Sequence, residues 1–200
     1  MPNALTTYVS EDAPFVASTK GFLDCAIVTG RYSAGLIRQF DAHVENRTAN
    51  IFQIFGEIAA LEGAANAKPS RTKPASEFKR KLLNGLWHKH YTQACFLATN
   101  LKLHWTRDKL RRLIKDSYGG REFFDEQAAK ELSYRFVQDG YLERSSNGEL
   151  TGEWIVFAKQ DDKAYYLTLG AHTEGDEAIW RRCKACASEF SDLKIIQEDR

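Results

Sequence analysis

Two hundred residues, 43% of them hydrophobic and 12% aromatic, are enough to close one sizeable core. A net charge of +1 excludes a strongly basic or acidic chain, and no apolar run approaches the roughly 18 residues of a membrane span. Four scattered cysteines are too few for a disulfide framework. The start, MPNALTTYVSEDAPF, lacks the basic and apolar segments of a secretory signal, so the cytoplasm is the expected compartment and no membrane partner is expected.

The chain is taken as one domain over 1–200, opened by an irregular lead-in over 1–18. GFLDCAIVTG (21–30) is β-rich, is bounded by glycine, and reads as a buried strand. RYSAG turns the chain and LIRQFDAHV (36–44) returns as a second strand, with a short helix as the alternative. His43 lies in it without an assigned role. From Thr48 to Leu61, Ile51, Ile54, Phe55, Ile58 and Leu61 step by three and four, which predicts an amphipathic helix stopped by Gly63. GAANAKPSRTKPA (63–75) is small, basic and carries two prolines, as expected of an exposed, mobile loop or linker.

The segment from Phe78 to Trp105 holds three of the five histidines. On a helix, Leu82, Leu83, Leu86, Trp87, Ala94, Ala98 and Leu101 share a side with His90, and His88 lies opposite. On a strand, Leu86, His88, His90 and Thr92 share a face. The continued helical spacing favours a long helix, kinked near Asn84-Gly85. Thr106 then caps a helix bearing Leu110, Leu113 and Ile114 and ending at Gly119-Gly120. A further helix spans about 125–137 and stops at Asp139-Gly140.

The period then becomes two. YLER (141–144), an Asn147-Gly148 turn, LTGEWIVFA (150–158), a KQDDK turn and AYYLTL (164–169) predict an antiparallel meander. Trp154 and Val156 face one way, Ile155 and Phe157 the other, so the sheet is covered on both faces. A last helix runs from about Gly175 to Phe190, and 191–200 reads as a frayed polar tail. The expected class is α+β, an antiparallel sheet (N-terminal hairpin plus C-terminal β-meander) packed with several helices.

Charge is unevenly spread. Between Lys68 and Asp116 stand thirteen Lys/Arg against three Asp/Glu, whereas both flanks are net acidic. A basic middle suggests a polyanion-facing surface. Motifs for phosphate-binding loops, dinucleotides, nucleophilic serine or zinc proteases are absent. The Cys183-Cys186 pair has no second ligand pair, and His88-Lys89-His90 is not a metal motif on a helix; on a strand the two histidines could share a metal, but the third ligand would have to come from far away, such as His172. No metal and no cofactor are therefore expected.

Two histidines stand out: His90 within the basic segment, and His172 at a strand end leading into a helix, where loops hold functional side chains on a rigid frame. With a basic middle and helices on an antiparallel sheet, the layout over 78–190 resembles the barnase, EndoU, colicin and RelE-like metal-independent ribonucleases. The resemblance rests on organisation and residue types, not on a shared motif. It implies a ribonuclease of toxin or defence type, with His90 and His172 as the acid–base pair. Lys89, Arg111 and Arg112 would contact phosphate, and Tyr166 and Thr173 would orient the substrate. RNA and a cognate inhibitor would be the partners. The alternatives are a protein-interaction (inhibitor or immunity-like) module and a non-catalytic nucleic-acid-binding module. In the latter, the 107–117 and 125–137 helices and the Asn147-Gly148 hairpin would form a winged helix.

Overall fold

The computed structural model describes residues 18–119 and 123–198. The lead-in over 1–17 lies outside the described residues. Helices α1 (Thr19–Ala26), α2 (Ala34–Asn46) and α3 (Ile51–Glu62) come first, with a two-residue strand, β1 (Arg31–Tyr32), between α1 and α2. Strands β2 (Ser76–Glu77) and β3 (Trp87–Tyr91) follow. A 3-10 turn (Ala94–Phe96) then leads into α4 (Leu97–His104), α5 (Arg107–Tyr118) and α6 (Glu126–Ser146). Strands β4 (Glu153–Gln160) and β5 (Lys163–Gly170), helix α7 (Asp176–Lys184) and a 3-10 turn (Lys194–Ile196) complete the described chain.

The class is α+β, but the sheet is mixed. Its order is β1-β5-β4-β3-β2, with β1 parallel to β5 and every other pair antiparallel. The expected N-terminal hairpin does not form. In place of its first strand, Ser18 accepts a hydrogen bond from the Gly21 N–H and starts α1, which buries Leu23 and Ala26 and carries a Lys20–Asp24 pair one turn apart. The β-branched tail of that segment bends at Val28 and Thr29 and does not enter the sheet. The Glu62 carboxylate accepts the N–H groups of Val28, Thr29 and Gly30 instead. In place of the second strand, Ser33 caps α2, whose Leu36 and Phe40 are a helical turn apart and fully buried.

Helix α3 forms as expected and ends on Gly63 at φ 64°. The β4–β5 hairpin also forms, its Asp161 and Asp162 both at positive φ (50° and 59°), the conformation that a two-residue hairpin turn requires. Side chains alternate across β4 as read. Trp154, Val156 and Ala158 pack with Leu83, Leu86 and α7. Ile155 and Phe157 pack with α1, α2 and α3.

Two further expectations fail for packing reasons. Helix α6 does not stop at Asp139-Gly140 but runs on through 141–144, so the strand expected there is absent. Gly140 is the point of closest approach to α4–α5: a Cβ there would lie 2.7 Å from the Trp105 indole nitrogen, which donates to the Phe136 carbonyl. The winged-helix reading needed that strand and falls with it. The tail is not frayed at 193–196 either, because Leu193 and Ile196 are buried in the α7-side core. The loop over 63–75 is largely exposed, yet Thr72 is buried, donates its hydroxyl proton to the His90 carbonyl and bridges to Leu150.

Candidate active site

The 78–105 segment is not one helix. Gly85, at φ 84°, closes a turn after Asn84, and β3 follows with His88 opposite Val156 and His90 opposite Trp154. The apolar residues after Thr92 belong to the separate helix α4. Period two puts His88 and His90 on the α7 side of the sheet and Trp87, Lys89 and Tyr91 on the α1–α3 side.

On the α7 side, β3, β4 and the loop after β5 bring three imidazoles around one indole. The His90 and His172 rings stack with centroids 5.5 Å apart and planes 17° from parallel. The His172 ring lies 4.2 Å from that of Trp154, and His88 lies 5.5 Å from His90 and 5.6 Å from Trp154. Phe78 backs His88 at 4.4 Å.

The tautomer of His90 follows from its partner. Its Nδ1 is 3.0 Å from the Gly152 carbonyl, which can only accept, so Nδ1 carries the proton and neutral His90 keeps a lone pair on Nε2. Gly152 permits this contact, because a Cβ there would fall 1.8 Å from the Tyr91 carbonyl oxygen. Two buried polar atoms in the cluster, His88 Nδ1 and Trp154 Nε1, have no hydrogen-bond partner among the described residues. Each such atom costs on the order of 1–3 kcal/mol, a cost often carried at functional sites.

Burial is the main reason that all three imidazoles resist protonation. It depresses His88 and His90 to about 4 and lowers His172 below its ordinary 6.5. The neighbouring cations Arg80 and Lys73 push His88 and His172 the same way, as Lys73 does His90. Arg80 lies over the Trp154 ring at 5.6 Å and pairs with Asp176 in the first turn of α7 at 2.6 Å. The cluster is therefore a set of neutral bases beside Lys73 and the Arg80–Asp176 pair.

The loop carrying His172 is tethered. Arg182 binds both carboxylate oxygens of Glu174 (3.0 and 2.7 Å) and also the Thr168 hydroxyl and the Leu169 carbonyl. Glu174 in turn accepts the Ala171 N–H at 2.9 Å. This fixes the strand-to-helix connection on either side of the histidine.

Of the residues singled out in the sequence, His90 and His172 meet, and Thr173 is exposed beside His172. Lys89 does not join them. It is 3% exposed on the other side of the sheet, where Ser70 Oγ, Thr72 Oγ1, the Lys73 carbonyl and Glu57 surround its ammonium at 2.7–3.2 Å. Tyr166 is also on that side, fully buried and donating to Glu62 at 2.7 Å. Arg111 and Arg112 are exposed on α5, which packs against α6 rather than on the histidine-bearing strands. His88, Trp154, Arg80, Lys73 and Gly152 were missed; the period-two reading of 86–92 was the available signal for His88.

Cys183 and Cys186 are free, buried thiols in the α7-side core. Among the described residues, no group of three or more His, Cys, Asp or Glu is placed to hold a metal ion, and no helix is long and apolar enough to cross a membrane. Comparison of the chain with protein-family models, with curated proteins and with solved structures found no match in any of the three.

Proposed function

We propose that the protein cleaves RNA without a metal, using His90 and His172 as base and acid. The carrying observation is the 5.5 Å stacking of these two imidazoles beside Arg80 and Lys73. In this reading His90 Nε2 takes the proton of a ribose 2′-hydroxyl, whose oxygen attacks the adjacent phosphorus. His172, protonated once the phosphate is bound, gives its proton to the departing 5′-oxygen. The products are a 2′,3′-cyclic phosphate and a free 5′-hydroxyl. Arg80 and Lys73 offset the charge that develops on the phosphorane. RNA is the chosen substrate because it supplies its own nucleophile, so two proton-transfer groups and nearby cations suffice.

The test measures cleavage of RNA in EDTA, and folding by circular dichroism, on the same samples of wild type, His90→Ala and His172→Ala. The expected result is wild-type activity in EDTA and a loss of about 10²–10⁴ in rate for each folded variant. A wild type that cuts no RNA, or folded variants that cut as fast as wild type, would sink the proposal.

A further inference from the structure

Helix α5 is the one strongly amphipathic cationic element in the basic middle of the chain. Leu113 and Ser117 are buried, and α6 is the neighbour on which the helix packs. At 100° per residue, Arg107, Arg111, Arg112 and Lys115 spread over roughly 140° of the outer face, with Asp108 the one acid among them. Lys109, on the flank, is neutralised by Glu143 at 2.8 Å. Arg111 reaches only Asp108, at 4.0 Å, and Arg107, Arg112 and Lys115 are exposed with no carboxylate partner among the described residues. A solvated helix face usually mixes both signs; this one is left net positive.

Between α5 and α6 the chain carries two aromatic side chains without a core to enter. Phe123 is 73% exposed and Phe124 48%, immediately before the α6 cap, Asp125. Since α5 and α6 pack together across a short connection, these rings lie at the same end of the hairpin as Lys115. Uncompensated cations followed closely in the chain by exposed aromatic rings suit a flexible single strand: charge for its phosphates and flat apolar surface for its unpaired bases. An acidic protein surface would use the cations but give the rings no stacking partner.

We infer that the outer face of α5 together with Phe123 and Phe124 is a docking platform for single-stranded RNA, separate from the histidine cluster. Arg107, Arg111, Arg112 and Lys115 contact phosphates, and the two phenylalanines stack on bases. The platform supplies affinity and requires no catalysis.

The experiment is fluorescence anisotropy of a short 2′-O-methyl oligoribonucleotide, which lacks the hydroxyl nucleophile, so binding is read whether or not the protein cleaves RNA. The Arg107→Glu/Arg111→Glu/Lys115→Glu variant should bind about a hundredfold more weakly at low salt. Its log–log salt slope should fall in magnitude by about two, as expected for three lost phosphate contacts to a single strand. Phe123→Ala/Phe124→Ala should bind about tenfold more weakly with the salt slope unchanged. That variant should keep its affinity for heparin, a polyanion without bases. Unchanged affinity and slope in the charge-reversal variant would overturn the platform. Equal loss of heparin and oligonucleotide binding in the phenylalanine variant would overturn base stacking. A wild type that binds the oligonucleotide through α5 but cuts no RNA would leave the platform standing and remove the cleavage proposal alone.

Discussion

Lys89 and His90 are neighbours in the chain and face opposite sides of the sheet, Lys89 toward Glu57 of α3 and His90 toward His172. The strand period therefore separates a structural cation from a candidate catalytic base. Ser70 Oγ, Thr72 Oγ1 and the Lys73 carbonyl, each 2.7 Å from the ammonium, match the three donors of a charged lysine, with Glu57 beside them at 3.2 Å, so Lys89 is an anchor that ties the 70–73 loop to β3.

Removing one partner of such a pair leaves the other buried and uncompensated. Lys89→Met should lower unfolding stability by about 3–5 kcal/mol, and adding Glu57→Leu should restore a substantial part of it. Urea denaturation of the two variants and wild type measures both effects. Cleavage per folded molecule should be unchanged in Lys89→Met, and a folded variant with lost activity would restore the phosphate-contact role expected of Lys89.

Stability should depend on pH through His88 and His90. Both sit at about 4 in the folded protein, chiefly because of burial, against an ordinary 6.5. Between those values the folded state binds fewer protons than the unfolded chain. Stability therefore rises with pH across the window and is lost as pH falls from about 6.5 toward 4, by a few kcal/mol in all. Urea midpoints at pH 4.5 and 7 report the slope. Replacing both residues with Phe should flatten it.

Two glycines should resist the smallest substitution. Gly152→Ala forces a Cβ against the Tyr91 carbonyl oxygen, where β3 and β4 meet, and displaces the carbonyl that holds His90. Gly140→Ala drives a Cβ into the Trp105 indole, although alanine is the better helix former. Each should cost about 1–3 kcal/mol or more by overpacking. Only Gly152→Ala should also slow cleavage in the folded fraction, which separates the site from the α4–α6 contact.

Local signals told most where an element carried its own boundary. Thr106 and Gly119 bracket α5, Gly63 ends α3, and Asp161-Asp162 turns the β4–β5 hairpin, and all of these were legible. The misreadings came from tertiary contacts. The segment 21–30 looks like a strand because its second half is β-branched, but Glu62, more than thirty residues away, takes its N–H groups. Gly140 reads as a helix stop until Trp105 is seen against it. At the site, the apolar spacing of α4 was joined to that of β3, hiding the strand that aligns His88 with His90. The stacking of His172 on His90 joins residues 82 positions apart and leaves no trace in local spacing; only the strand-end position of His172 is legible in the sequence.

The pH dependence of cleavage is the sharpest test of the roles given to the two stacked histidines. His90 must be neutral to accept the 2′-hydroxyl proton, which holds above about 4. His172 must be protonated to release the 5′-oxygen, which holds below a pKa that burial, Arg80 and Lys73 keep under 6.5. The profile of kcat/KM, set by the free enzyme, should therefore be bell-shaped with an acidic optimum, its limbs read as macroscopic values of the coupled cluster. The bound phosphate should favour the imidazolium of both residues, so the kcat profile should lie at higher pH than that of kcat/KM. Arg80→Ala removes a charge that lowers His172 and should shift the alkaline limb of kcat/KM upward, whereas a role for Arg80 confined to packing on Trp154 would leave that limb in place. His172→Ala should abolish the alkaline limb altogether. A kcat/KM optimum above pH 7.5, or an alkaline limb that persists in His172→Ala, would show that His172 is not the acid.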